Sequence, residues 1–158
     1  MEFALVAPLA FLLLCSIIVA SIVVTNFIQV TNVARDGARV AAICGSGLHT
    51  TQLPDNSGSC TTANISTYIT RHLIAIPNGQ VTPAIHVCSL SQVDSGTCSG
   101  AATLCGNLCT CQSGKIVEVD MSYPQPLYLP LVSNLLQSPG STNGSRLLTA
   151  SAQATCEQ

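Results

Sequence analysis

A long apolar run dominates the start of the chain. From Phe3 to Val24 no residue is charged and few are polar, and after Glu2 the next charge is Arg35. An α-helix needs about 20 apolar residues to cross a hydrocarbon core of about 30 Å. The run therefore predicts a membrane span, since it is too long for a signal-peptide core and has no basic segment before it.

The helical pattern continues past this span, through TNFIQVTNVARDGARVAAIC. Pro8 is the one interior helix breaker, and a proline near a helix start costs little. About forty residues at about 1.5 Å each give a rod of roughly 60 Å, twice the membrane thickness. We therefore predict an N-terminal helical segment, 1–44, and a globular domain, 45–158.

Small residues cluster in the second half of the rod, where another backbone can approach closely. They are Ala34, Gly37, Ala38, Ala41 and Ala42. Ile28 and Thr31 belong to the same predicted contact face, while the polar residues Asn32, Arg35, Asp36 and Arg39 are expected to meet water. Two compatible interpretations remain open: the face contacts a neighbouring subunit, or it lies on the chain's own domain.

The remainder of the chain alternates loops with short periodic segments. Helical spacing and a possible cap at Thr61 or Thr62 predict a second helix that ends before Pro77. Period-two alternation predicts three strands, within 80–90, 115–123 and 145–156, with loops at 45–60 and 94–114. The predicted fold class is α+β: a long apolar helix, a short second helix and a small three-stranded antiparallel sheet.

Prolines interrupt an apolar stretch after the second predicted strand, YPQPLYLPLVSNLLQSPG. Prolines suit an extended edge segment or a turn better than a central strand. The apolar residues here are either a patch for a neighbouring subunit or part of the core. They include Leu127, Tyr128, Leu129, Leu131 and Val132.

The globular part carries eight of the nine cysteines. Its only aromatic residues are three tyrosines, so its core is thin, and the even cysteine number predicts a disulfide framework in an oxidising compartment. The spacing CxxxCxC at 105–111 is not the paired CxxC of a zinc site, and no metal is expected. Cys15 in the apolar run is expected to be an inert small hydrophobe. The predicted disulfide cysteines are Cys44, Cys60, Cys88, Cys98, Cys105, Cys109, Cys111 and Cys156.

Charge and motif content exclude several functions. With five Lys and Arg residues, the chain has no basic patch for nucleic acid. No nucleophile elbow, phosphate loop or paired carboxylates occur, and Glu118 and Asp120 are expected to be solvated on one strand face. The histidines (His49, His72 and His86) lack ligand spacing. We therefore expect neither catalysis nor a cofactor.

Two sequons, at Asn64 and Asn143, permit N-glycans where the machinery exists. Arg35 and Arg39 flank the far end of the span, so the positive-inside rule places the cysteines in the cytosol, against the disulfide prediction. A basic leader removed from before Met1 would resolve this conflict, although Met1 is equally open to interpretation as the start codon.

Three stretches resemble the TadE-like pilins of tight-adherence (type IVb) pilus systems. They are MEFALVAPLAFLLL and TNVARDGARVAA in the first 44 residues, and IVEVDMSYPQPLYLPLV, whose resemblance is weaker. The resemblance implies a pilin-like fold and a precursor trimmed by a prepilin peptidase. It also implies that an assembly ATPase and platform move subunits from the inner membrane into a filament.

The resemblance gives Glu2 a role in assembly, neutralising the N-terminal amine of a neighbouring subunit. A buried carboxylate needs such a cation, although the family places its glutamate about five residues into the mature chain. Pro8, Gly37 and Ala41 are the other predicted assembly residues. The predicted function is a pilin subunit of a cell-surface homopolymer that serves adhesion, motility or secretion. The alternatives are a minor or pseudopilin subunit, and a monomeric membrane-anchored adhesin or binding module.

Overall fold

The chain folds as one long helix with a small α+β domain packed against its second half. The structure is a computed structural model. Residues are described in the ranges 2–45, 52–56, 58–77, 79–96, 98, 114–127 and 145–156, with α1 side chains described from Val6 to Cys44. The elements in chain order are α1 (Glu2–Gly45), α2 (Thr62–Arg71), β1 (Thr82–Ser89), α3 (Leu90–Asp94), β2 (Lys115–Pro126) and β3 (Ser145–Thr155).

The three strands form one antiparallel sheet in the order β1-β2-β3. Ile85 on β1 pairs with Val119 on β2, which pairs with Ala152 on β3. These three side chains are buried on the face that α1 covers. The predicted fold class is therefore confirmed, with a long apolar helix, a short second helix and a three-stranded antiparallel sheet.

The opposite face of the sheet is polar. Glu118 and Asp120 are half-buried there, as alternation along the strand predicts. The Glu118 carboxylate accepts hydrogen bonds from Ser151 Oγ at 2.8 Å and Gln153 Nε2 at 3.2 Å. His86 Nε2 lies 3.7 Å from Asp120 Oδ2. Among the described residues, cross-strand polar contacts hold this face.

Helix α2 runs alongside α1 in the opposite direction. Thr61 caps it, since its hydroxyl accepts a hydrogen bond from the Asn64 backbone N–H at 3.3 Å. Ile65 and Ile69, one helical turn apart, face the core and are almost fully buried. The helix ends at Arg71, and Leu73 and Ile76 beyond it are also buried. The segment after α2 therefore belongs to the core without being helical.

Strand β2 is longer than predicted and contains two prolines. It is the central strand, but β1 begins opposite Ser122, so among the described strands only β3 pairs with β2 from Tyr123 onward. Pro124 and Pro126 lie in this one-sided part, where a missing N–H removes no ladder bond on the open side. The described start of the proline-rich stretch, 123–126, thus continues the central strand in a part that pairs with β3 alone among the described strands.

Two cysteine pairs lie at disulfide distance, which confirms the disulfide-braced fold. Cys44 pairs with Cys60, with Cα atoms 5.4 Å apart, and Cys88 pairs with Cys98, with Cα atoms 5.8 Å apart. Cys156 is also disulfide-bonded. Cys15 is a free thiol in α1. The predicted cysteines Cys105, Cys109 and Cys111 lie outside the described residues, as do His49, Asn143, and Tyr128, Leu129, Leu131 and Val132.

A candidate membrane and assembly helix

The first half of α1 is almost entirely exposed, and only its last turns approach the domain. From Val6 to Thr25 every side chain is exposed except three half-buried ones, Cys15, Val19 and Val23. Leu9 and Phe11 are 70% and 68% exposed. Within the described part of the chain this is the one helix long and apolar enough to cross a membrane. Such a surface is not stable in water, so lipid or protein must cover it.

Two of the three hydroxyl side chains in this segment, those of Ser16 and Thr25, donate hydrogen bonds inside the helix. Ser16 Oγ donates to the Leu12 carbonyl at 2.8 Å, and Thr25 Oγ1 donates to the Ser21 carbonyl at 2.9 Å. Transferring a hydroxyl without a hydrogen-bond partner from water into hydrocarbon costs about 4 kcal/mol. Because these bonds lie within the helix itself, the Ser16 and Thr25 hydroxyls can enter lipid or a bundle of helices without further polar partners.

The predicted assembly residues fall into two groups far apart along α1. Helix α1 begins at Glu2, and it continues through Pro8 without interruption. Gly37 and Ala41 lie about 50 Å further on at about 1.5 Å per residue. The two groups therefore cannot form one site within a single chain.

Gly37 and Ala41 are buried in the chain's own core. A Cβ atom added to Gly37 would lie 2.6 Å from Ile69 Cδ1 and 2.7 Å from Ile69 Cγ1. Ala38 and Ala41 are fully buried by the sheet and α2. Of the two interpretations of this small-residue face, contact with the chain's own domain is the one seen, and it accounts for the small residues without a second subunit.

The polar residues of this half of α1 face outward as predicted. Asn32, Arg35, Asp36 and Arg39 are all exposed, and so is Ile28, which was expected on the contact face. Tyr68 Oη donates a hydrogen bond to Asp36 Oδ2 at 3.3 Å. Burial raises the pKa of the Tyr68 phenol, and the negative charge and hydrogen bond of Asp36 raise this pKa further.

A buried amide pair joins α1 to the end of β2. Asn26 Nδ2 donates to Gln125 Oε1, and the two side chains are 6% and 1% exposed. One turn further along α1, Gln29 Oε1 accepts from the Ala75 N–H at 3.2 Å. Sequence reasoning missed these contacts. The available signal was Asn26, the first amide side chain after the apolar run, but its partner is 99 residues away in sequence.

A cavity of about 410 Å³ lies beside this pair. One wall is formed by Ser21, Ile22 and Thr25 of α1, and the facing wall includes Pro77 and Pro126. The domain thus extends alongside the last turns of the exposed apolar segment. Tyr123 is the one titratable residue among the described residues that line this cavity, and the other polar groups are amides and hydroxyls.

The one group of potential metal ligands among the described residues includes a disulfide. Cys88 Sγ, Cys98 Sγ and a Glu118 carboxylate oxygen lie within 4.8 Å of one another. A cysteine binds zinc through its thiolate, and both sulfurs here are held in one disulfide. These residues therefore do not fit a zinc site.

The Asn64 sequon lies in a closely packed corner. Asn64 Nδ2, the atom that would carry an N-glycan, donates to the Ser59 carbonyl at 2.8 Å. A Cβ atom added to Gly58 would lie 2.8 Å from the same nitrogen. A glycan on this nitrogen would lie directly beside the 58–59 backbone and would leave one N–H hydrogen to donate to Ser59.

Comparison with known proteins identifies the helix. A family model described as TadE-like protein matches residues 1–39, about a quarter of the chain. Searches of curated proteins and of solved structures found no match. TadE-like proteins are pilus-associated and are not an enzyme family, which together with the apolar helix suggests a membrane-anchored, surface-exposed protein. The N-terminal helix is therefore TadE-like, consistent with a TadE-like protein of Tad pilus systems.

Proposed function

We propose that the chain is a structural pilin subunit that polymerises through its N-terminal helix into an extracellular Tad-like type IV pilus. In this proposal segment 1–44 holds the subunit in the inner membrane and later forms the filament core. The domain 45–158 faces outward. Adhesion, surface motility or secretion follow from the filament as a whole.

The observation that carries the proposal is the exposure of α1 between Val6 and Val24, where no side chain is fully buried and only Cys15, Val19 and Val23 are half-buried. A helix that only covered its own domain would bury one stripe. A helix that is apolar on every side is instead compatible with lipid first and with neighbouring helices afterwards. The TadE-like match over residues 1–39 covers this same segment.

The remaining steps of assembly rest on the family resemblance. A prepilin peptidase would trim the precursor, and an assembly ATPase with its membrane platform would extract the subunit from the bilayer. Glu2 would pair with the N-terminal amine of a neighbour in the filament core. Replacing Glu2 by Ala is then expected to preserve membrane insertion and to lower filament yield, and unchanged filament yield would remove this role.

Microscopy of sheared cell surfaces tests the proposal directly. Negative staining should show fibres, and mass spectrometry of the purified fibres should identify this chain as their main component. A trace amount in fibres made of another protein would indicate a minor or pseudopilin subunit. Single molecules held permanently in membranes, with no fibres, would indicate the anchored binding module instead.

A matched pair of helix variants separates lipid contact from helix contact. Ala20 and Ile17 are both exposed on α1. Ala20→Leu enlarges a small residue, which lipid tolerates but a close helix–helix contact does not. Ile17→Leu conserves volume. We expect both variants to insert into membranes equally and only Ala20→Leu to reduce fibre yield, so equal fibre yields would contradict close packing at this position.

A further inference from the structure

We propose that the end of the domain nearest the exposed span contacts the headgroup layer of the bilayer that holds α1. This end, called the base, comprises the described residues 72–77, 79–82, 122–127 and 145–148. The inference rests on the membrane-anchored stage of the proposed function and does not depend on polymerisation.

Contacts with α1 fix which end of the domain is the base. Gln125, at the end of β2, meets Asn26, whereas Cys60, before α2, is bonded to Cys44 at the other end of α1. Helix α2 and strand β2 therefore both run toward the span. Because β3 is antiparallel to β2, its first residues also lie at the base.

The base lies at the expected height of the headgroup layer. Val6–Val24 is about 27 Å long at about 1.5 Å per residue, close to the ~30 Å hydrocarbon core, and a headgroup layer adds about 5 to 7 Å on each side. Gln29, which binds the Ala75 N–H, is about 7 Å beyond Val24. The cavity wall formed by Ser21 and Ile22 extends lower still, to the edge of the hydrocarbon.

Exposed apolar side chains surround this level. Ile74 is 91% exposed and Leu147, opposite Pro124 on β2, is 51% exposed. Phe27 and Ile28 on α1 are also exposed, and these four residues are called the basal rim. Outside α1 the described residues include only one other exposed large apolar side chain, Leu90 at the far end. Full exposure to water is unfavourable for the basal rim, and the adjoining span indicates lipid as its cover.

The charge distribution agrees with a phospholipid surface. No residue of the base as defined above is acidic, although five described positions elsewhere after Glu2 are. They are Asp36, Asp55, Asp94, Glu118 and Asp120. The base carries exposed Arg146, a cation suited to phosphate groups.

Tryptophan substitutions test the contact, because the chain contains no Trp. The full-length variants Ile74→Trp and Leu147→Trp are reconstituted separately in vesicles of phosphatidylcholine and phosphatidylglycerol. Leu90→Trp is the matched control, since Leu90 is similarly exposed but lies beyond the opposite end of β1. This control also accounts for the affinity of Trp itself for membrane interfaces.

Lipids brominated near the headgroup should quench the emission of both basal tryptophans to less than half, because interfacial side chains lie about 5 to 10 Å into this boundary. Leu90→Trp should not be quenched. Equal quenching at all three positions would overturn the inference. A second result would also overturn the inference: an emission shift of Trp at position 74 that brominated lipid does not quench and that grows with the protein-to-lipid ratio. Such a shift would indicate that a second copy of the chain covers the basal rim.

Flotation of the same vesicles separates this inference from the proposed function. Chains that float with the vesicles without quenching at the base contradict the membrane contact and leave the pilin proposal intact. Chains that fail to float contradict the membrane anchor, and both proposals fail together.

Discussion

At the scale of single residues, α1 uses its smallest side chain to fit its own domain. Gly37 faces Ile69, which is 1% exposed and belongs to the same core as Val119. The small-residue stretch that resembles pilins is thus explained by packing inside one chain. A loss of filaments after enlarging Gly37 would by itself not demonstrate a subunit contact.

Gly37→Ala is expected to destabilise the isolated protein in detergent. Overpacking a core costs about 1 to 3 kcal/mol, and the gain of about 1 kcal/mol from Ala in a helix offsets part of this. Denaturant unfolding measures the difference. In an Ile69→Val background, which lacks the Cδ1 atom, the cost should be smaller. An unchanged stability combined with lost filaments would return Gly37 to a role between subunits.

Tyr68 gives a pH-dependent readout of the contact between α1 and α2. Burial and Asp36 raise its pKa above the ordinary value of 10.0. A group whose pKa is raised in the folded state contributes fully to the stability of the fold at pH values below its unfolded pKa. This contribution is lost as the pH rises through the folded pKa.

We expect the Tyr68 phenol to titrate above pH 10.0, measured as tyrosinate absorbance missing from a Tyr68→Phe variant. Asp36→Asn removes the nearby charge and should lower the pKa of Tyr68. A Tyr68 that titrates at its ordinary value in the folded protein would contradict the contact.

At the scale of elements, the two ends of the domain are held in different ways. The described disulfides lie at the far end, where Cys44 meets Cys60 and Cys88 meets Cys98. The base has none among its described residues and is attached through the Asn26–Gln125 pair and the Gln29–Ala75 contact. Covalent bonds therefore secure the loop-rich end, and side-chain packing secures the end near the span.

Replacing Cys44 and Cys60 together by Ser should cost about 3 kcal/mol of unfolding free energy. The bond closes a loop of sequence separation 16, and loops of this size confer about that much by restricting the unfolded chain. The reduced wild-type protein provides the comparison in thermal or denaturant unfolding. A stability equal to that of the oxidised protein would show that this bond does not constrain the fold.

At the scale of the whole molecule, the pilin subunit and the anchored binding module lead to different predictions for a changed membrane span. Substituting Val6–Val24 by a polyleucine helix of equal length preserves membrane crossing. If the helix only anchors a binding domain, the variant should still be displayed at the cell surface and the domain should keep its binding activity. If the helix forms a filament core, display in membranes should persist and fibres should disappear. Cell fractionation and negative staining of the same cultures distinguish the two.

The sequence predicted elements well where one local pattern dominated. The apolar run, the Thr61 cap and the alternation around Ile85 and Val119 each specify their element without distant residues. Helix α3 was missed because Leu90–Asp94 is short and follows a strand directly. The length of β2 was missed because a strand tolerates Pro124 and Pro126 only where β1 does not pair with it. That β1 begins opposite Ser122 is a property of the strand pairing, which the local sequence does not show.

The site was less predictable than the fold. The outward orientation of Arg35 and Arg39 follows from charge alone. That Gly37 faces Ile69, or that Asn26 meets Gln125, depends on how segments far apart in sequence come together. Composition could show that the small residues allow a close approach, but not which backbone or side chain approaches.

The one-sided end of β2 has a consequence for crowding on the cell surface. Beyond Ser122 no described strand pairs with β2 on the side of β1, and an unpaired strand flank in many proteins invites a strand from another molecule. Pro124 and Pro126 have no N–H group to offer there. Molecules held side by side at high density are thereby discouraged from merging their sheets, and any ordered association must use other surfaces.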